Sequence, residues 1–257
     1  MNHDHGLIDA TEMYLRTVLE LEEEGLVPAR ARIAARLGQS VPTASQTVAR
    51  MQRDGLLTVT EDRRIQLTPA GRSAATRVMR KHRLAECLLI DVLGLEWQLA
   101  HVEACRWQHV MSEAVERRLL DILGHPTQSP YGNPIPGLAE LGENEGDELP
   151  GEMVALTNVP RETGRVIMHR IGEPIQSDTA LLTRLRRAGF RPNAALAVSR
   201  ANGTVWIGTG QQAAELDHAA AHVFVTLPID PDLAPEPEAL EDHPAARHAP
   251  FSPACNL

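Results

Sequence analysis

Only three cysteines, Cys87, Cys105 and Cys255, are scattered over 257 residues. They are too few and too far apart for a disulfide framework, which favours a reducing cytoplasm. No stretch approaches the ~20 apolar residues that a membrane span needs. The opening Met-Asn-His-Asp-His-Gly has neither the basic region nor the apolar core of a secretory signal. These absences argue against secreted, membrane and fibrous classes, and the expected setting is cytoplasmic with no membrane partner. Lysine is almost missing too: Lys81 is the one lysine among 25 basic residues. The others are arginines, which can fork onto phosphate or guanine.

What is present is ordinary for a soluble chain: 43% hydrophobic and 23% charged residues, which argues against wholesale disorder. At roughly 100–200 residues per domain, the length allows one or two ordinary domains or three small ones. Taken whole, the net charge of −9 opposes a nucleic-acid partner, but it is unevenly spread. Through Arg83 the chain holds thirteen basic and ten acidic residues; beyond it, twelve and twenty-four. A mildly basic front and an acidic back make the whole-chain balance a poor guide to partners.

Asp9 can cap a first helix, with Glu12 three residues on, that runs through Glu24 and stops at Gly25. A short second helix spans Ala31 to Leu37. Ser40 can cap a third that runs to Asp54, with Pro42 in its first turn and Gly55 beyond its end. Ala44, Val48 and Met51 share one face of it; Thr43, Gln46, Thr47 and Arg50 share the opposite face. This is the helix-turn-helix pattern. Leu57/Val59 and Ile65/Leu67 alternate around a turn at Glu61–Arg64, as a two-stranded wing does.

Thr68-Pro69 opens a long helix to about Val92. Further helices are expected over Trp97–Met111 and Glu113–Leu123. From His125 to Gly151 prolines and glycines break the periodicity, as at a boundary or linker. Strands follow at Arg165–His169, Ala195–Ser199, Thr204–Ile207 and His222–Leu227, with a helix over Ala180–Ala188. Asn202-Gly203 is a type I′ hairpin signal. A small barrel or sandwich fits. Beyond Leu227 the chain is acidic, proline-rich and aperiodic, as disordered tails are.

His82 and Glu86 lie i, i+4 on one helix. His101, Cys105, Gln108 and His109 form a stripe on the next. Opposed stripes of imidazole, thiolate and carboxylate can build metal sites between helices. Each pair alone is more often a solvated ion pair or a small core cysteine. The polar face of the third helix is open between DNA binding and a solvated surface.

Five segments carry a resemblance: Thr11–Thr17 (Thr-Glu-Met-Tyr-Leu-Arg-Thr), Ser45–Met51 (Ser-Gln-Thr-Val-Ala-Arg-Met), Val78–Glu86, Glu103–Trp107 and Gly132–Leu138. They resemble the diphtheria toxin repressor family, most closely its actinobacterial iron-dependent regulators. The likeness is close over residues 7–141, looser over about 152–228 and absent in the tail. It implies a mainly α protein with a small β part. Residues 1–74 would form a winged helix-turn-helix and 75–141 a helical dimerisation and metal-binding domain. A linker (142–151), an SH3-like barrel (152–228) and a disordered tail (229–257) would follow.

The resemblance implies two Fe(II) sites per subunit, for which Co(II), Ni(II), Mn(II) or Zn(II) can substitute. The ancillary site would be His82, Glu86 and His101, completed by Glu173 and Gln176 in Ile-Gly-Glu-Pro-Ile-Gln. The primary site would be Met13, Cys105 with its carbonyl, position 108 and His109. The family has glutamate at 108 and this chain has Gln108, so the site loses a negative charge and weaker or retuned activation follows. Thioether, thiolate and imidazole favour late divalent metals over Mn(II). Arg83, Ser129 and Asn133 match an anion pocket beside the ancillary site.

An AT-rich palindromic operator bound by homodimers, two per operator, is also implied, with part of the specificity read through DNA shape. Thr43, Gln46 and Arg50, with Ser40, Pro42 and Ser45 at the start of the helix, would face the bases. Arg30, Arg32, Arg50, Arg53 and Arg63 would meet phosphates. Trp107 is expected at a dimer contact. The expected function is Fe(II)-activated repression of iron-homeostasis genes. A metalloenzyme built on the same clusters is the rival, although no H-E-x-x-H or phosphate-cradling glycine loop supports it. Two further alternatives are a manganese-responsive regulator of the same fold and a module whose barrel grips proline-rich segments, such as its own linker.

Overall fold

The structure is a computed structural model. It describes residues 2–146, 153–201, 204–209 and 212–228, with backbone alone for 2–9 and 201. The first helix, α1 (Asn2–Glu23), starts well before the expected cap, so Asp9 lies inside it. Extending an established helix adds one hydrogen bond per residue fixed, and Gly6 alone weakens that stretch. Gly25, at φ +70°, ends α1 as its amide and that of Leu26 turn back to Glu22 and Leu21.

Next come α2 (Arg30–Arg36) and α3 (Val41–Arg53). The Ser40 hydroxyl accepts from the Thr43 amide at 3.3 Å, as a cap should. β1 (Leu57–Val59) and β2 (Ile65–Leu67) pair antiparallel as the wing, Leu57 opposite Leu67. Arg63 sits at the wing tip with φ +64°. Tyr14, Leu15 and Val18 of α1 close this core on Ile33, Ala44, Val48, Met51, Leu57 and Ile65.

Then α4 (Pro69–Cys87) runs into a π-helical turn, Leu88–Val92. The helical stretch therefore reaches its expected end, but with a widened last turn. α5 (Trp97–Trp107) stops short of the expected Met111, because residues 108–110 form a turn. α6 (Glu113–Leu123) is capped by Ser112 and stopped by Gly124. Leu84, Leu89, Ala100, Ala104, Leu119 and Leu120 pack between these helices.

The stretch after α6 is more than a spacer. Tyr131, Asn133, Ile135, Leu138 and Leu141 are buried. Trp97 donates through Nε1 to the Pro130 carbonyl (3.3 Å), and the Tyr131 hydroxyl donates to the Trp97 carbonyl (2.6 Å). Gly132, at φ +84°, lies so close to the next layer that a Cβ there would sit 1.9 Å from the His169 carbonyl oxygen. Only glycine fits that approach.

That next layer is β3 (Val154–Ala155), β4 (Arg165–Ile171), the single turn α7 (Glu173–Gln176), α8 (Thr179–Arg187), β5 (Ala195–Ala201), β6 (Thr204–Thr209), β7 (Gln212–Glu215) and β8 (Val223–Thr226). The strands form one antiparallel sheet in the order β3-β8-β4-β5-β6-β7. Val166, Met168, Leu182, Leu185, Phe190, Ile207 and Val225 fill its core, joined by Trp97 of α5. The Asn202-Gly203 turn and the tail from residue 229 fall outside the described residues. Among the described residues no helix is long and apolar enough to cross a membrane.

Candidate metal centre

Opposed stripes on α4 and α5 place His82, Glu86 and His101 together, all buried. His82 Nε2 lies 2.8 Å and His101 Nδ1 3.0 Å from the same Glu86 oxygen, and the two nitrogens are 3.1 Å apart. Burial alone would raise the Glu86 pKa, but His82 and hydrogen bonds from both imidazoles hold it at about 2. Burial opposes a charged His101, yet its bonds and proximity to Cys105 and Glu86 push it up to about 10. From α7, Glu173 reaches Arg83 at 2.5 Å. The Gln176 amide nitrogen donates to the Ile171 carbonyl at 2.7 Å, while its buried oxygen has no hydrogen-bond partner.

The second group is joined to the first. Gln108, wholly buried, donates from Nε2 toward Met13 Sδ (3.2 Å) and His109 Nε2 (3.0 Å). Its Oε1 accepts from an Arg16 nitrogen at 2.8 Å, and that nitrogen also lies 3.4 Å from Cys105 Sγ and 3.1 Å from His82 Nδ1. Cys105 Sγ is 3.7 Å from His101 Nε2. Donor atoms of His82, His101 and Cys105 all fall within 4.8 Å of one another. Burial would raise the Cys105 thiol, but Arg16, His82 and hydrogen bonds hold it at about 3, a thiolate. Cys87, buried and facing Asp91 and Glu86, is pushed well above the thiol range and stays protonated.

Met13 comes from α1, whereas Cys105, Gln108 and His109 come from α5 and its following turn. Thioether, thiolate, amide oxygen, imidazoles and carboxylate converge in a water-poor space, and on α7 the buried Gln176 amide oxygen has no partner. Buried polar groups that lack a partner call for a donor or a cation, so the residues fit a divalent metal. Sequence reasoning missed Arg16, Glu12 and Glu20. Glu12 meets His109 Nδ1 at 2.5 Å. Glu20 meets Arg16 Nε at 2.8 Å, one helical turn along α1.

Arg83, fully buried, is engaged by Glu23 (2.6 and 3.0 Å), Glu173 and the Pro134 carbonyl. Ser129 accepts from the Tyr131 amide (3.3 Å), and Asn133 bridges Arg170 (3.2 Å) and the Ile171 carbonyl (2.7 Å). On α3 and its cap, Ser40, Pro42, Thr43, Gln46 and Arg53 are exposed, and Ser45 is half-buried. Arg50 donates to Thr11 at 3.3 Å, Arg32 to the Val27 carbonyl at 2.6 Å, and Arg30 is half-buried. Trp107 donates to Glu103 at 2.8 Å.

A winged helix-turn-helix whose first helix shares a buried donor cluster with a second helical layer defines a metal-responsive DNA-binding protein. Residues 6–65 match the N-terminal DNA-binding domain of the iron-dependent repressors, and residues 68–137 match their metal-binding and dimerisation domain. The chain belongs to the iron-dependent repressor family. It is 53% identical over 222 residues to the iron-dependent repressor IdeR of Mycobacterium tuberculosis, covering 84% of this chain and 96% of that protein. The diphtheria toxin repressor of Corynebacterium diphtheriae is 51% identical over 221 residues, covering 85% and 96%. A solved manganese-dependent transcriptional repressor in complex with manganese superimposes with a TM-score of 0.66 at 26% identity, covering 84% of this chain and 99% of that one. Family membership makes the chain a DNA-binding, dimerising repressor and removes the metalloenzyme alternative.

Proposed function

We propose that this is a cytoplasmic, Fe(II)-activated repressor of iron-homeostasis genes that binds an AT-rich palindrome as two homodimers. The observation that carries the proposal is the junction of Met13 with Cys105, Gln108 and His109, because it ties the DNA-binding layer to the dimerisation layer. Met13, Cys105 (with its carbonyl), Gln108 and His109 would hold the activating ion. His82, Glu86, His101, Glu173 and Gln176 would hold the ancillary one, Gln176 through its unpartnered oxygen. Bound there, a metal supplies two positive charges and coordination bonds between the layers. Ligation through Met13 would tie α1 to α5 and release the start of α1, and an arrangement favoured by both metal and DNA would make the two ligands bind with mutual positive coupling.

At the DNA, Ser40, Pro42, Thr43, Ser45 and Gln46 face the bases, and Arg30, Arg32, Arg50, Arg53 and Arg63 neutralise phosphates. Arg83, Ser129 and Asn133 form an anion pocket in which a bound anion exchanges with a carboxylate of Glu23 or Glu173. The SH3-like layer holds the proline-rich segment 125–137, a reading supported by Gly132 against His169 and by the Ile171 amide donating to the Tyr131 carbonyl at 3.0 Å. We keep 74, 141 and 152 as the domain boundaries, with Ala75 and Met79 still packing in the first core and Trp97 and Tyr131 in the third.

The manganese reading is favoured by the likeness to a manganese-dependent repressor. The thiolate and thioether favour iron, since Mn(II) prefers oxygen ligands. Oxygen-free titration of operator binding with Fe(II), Co(II), Mn(II) and Zn(II) tests the proposal. Activation by Fe(II) and Co(II) at lower concentration than Mn(II) is expected. Activation by Mn(II) at the lowest level would favour the alternative, and metal-independent binding would overturn both.

A further inference from the structure

We infer that Arg16 is a built-in counter-cation of the metal centre, a positioning residue whose guanidinium must leave Cys105, Gln108 and His82 before those donors can turn to a metal. This rests on the ligand reading above and adds the group that opposes it.

One nitrogen of Arg16 reaches donors of both sets: Gln108 Oε1 at 2.8 Å, His82 Nδ1 at 3.1 Å and Cys105 Sγ at 3.4 Å. An arginine offers only N–H donors, so it draws on lone-pair density of Gln108 Oε1 and Cys105 Sγ, and at His82 it favours the tautomer that keeps the proton on Nε2, the nitrogen facing Glu86 and His101. The side chain is 6% exposed, so water screens its charge poorly. A divalent ion on these ligands and a guanidinium among them therefore oppose each other as like charges at close range.

The guanidinium also has somewhere to go. Its Nε meets Glu20 at 2.8 Å, one turn further along α1, and Glu20 is itself held near Arg36 at 3.6 Å. Turning about that ion pair frees the ligand-facing nitrogen without stranding a buried charge. Arg16 follows Met13 by three residues on α1, so it lies on the same side of the helix. Its withdrawal and the approach of Met13 are thus movements of one helical turn.

Gln108 sharpens the competition. A carboxylate there would offset part of the added positive charge, whereas the amide leaves Cys105 as the one anionic side chain among Met13, Cys105, Gln108 and His109. The chain would then need a metal level high enough to expel its own cation, which sets a threshold for activation.

The test uses the full-length protein without oxygen. Co(II) binding is followed by thiolate-to-metal absorption, and thermal midpoints are measured with and without metal. Arg16→Met should bind Co(II) roughly tenfold more tightly, the scale expected for removing one like charge at a shielded site. Its metal-free midpoint should fall and its metal-induced rise should exceed the parent's. Arg16→Lys, which keeps the charge, should bind like the parent. Glu20→Gln should bind Co(II) more weakly, because the displaced guanidinium loses its partner. Unchanged or weaker binding by Arg16→Met overturns the proposal. If that variant does not fold, equal or tighter binding by Glu20→Gln overturns it. A parent without thiolate absorption overturns the ligand assignment and this inference together, whereas a normal band with equal affinities overturns this inference alone.

Discussion

Gln108 is wholly buried at the end of α5, with its oxygen turned to Arg16 and its nitrogen to Met13 and His109. A solvated helix residue would touch none of these. The i, i+4, i+7, i+8 spacing of His101, Cys105, Gln108 and His109 already put all four on one stripe, and this is the stripe the fold buries. Arg16 was not legible in the same way, because an arginine in an amphipathic helix reads as a surface group until the packing of α1 against α4 and α5 encloses it. Gln108→Glu should tighten activating-metal binding by on the order of 1–3 kcal/mol, about ten- to a hundred-fold. The response of His82, Glu86 and His101 should hardly change. Fe(II)- and Co(II)-dependent operator binding by parent and variant decides it, and equal midpoints would place position 108 outside the metal shell.

Among the elements, the wing strands match the sequence pattern residue for residue, and α2, α3, α6 and α8 come within a residue or two, because caps, turn glycines and apolar periodicity agree there. The pattern fails where elements are too short to show a period: β3, β7 and the single turn α7. It also fails over residues 128–141, where prolines break the period although Tyr131, Ile135, Leu138 and Leu141 are core residues. The start of α1 is the element with a function to test. Residues 2–9 continue the helix that carries Met13, and the resemblance implies that this start would collide with DNA. Adding Co(II) should increase amide exchange and protease cleavage within residues 2–10. Unchanged exchange there, with DNA binding switched on, would reject the release.

Across the whole molecule, the basic front and acidic back meet at one buried ion pair, Arg83 with Glu173, and at polar contacts around it. Arg83 of α4 joins Glu23 of α1 to Glu173 of α7, Arg170 of β4 donates to the Glu23 carbonyl at 2.6 Å, and His222 meets Glu24 at 3.1 Å. The sequence could place Glu173 and Gln176 at the ancillary site only through a six-residue fragment; the salt bridges that dock their layer join residues far apart in the chain and leave no local pattern. Replacing Glu173 and Gln176 together by alanine removes one carboxylate from Arg83 and the unpartnered amide oxygen that we assign to the ancillary site. Leaving the Arg83 charge with fewer partners costs stability, but Glu23 still pairs it, so the fold and dimer should persist. The C-terminal layer should loosen, raising the radius of gyration in solution scattering, and DNA binding should need more metal. An unchanged radius with activation at the parent's metal level would show that this layer docks without the ancillary site, and the Arg170 and His222 contacts would then account for the docking.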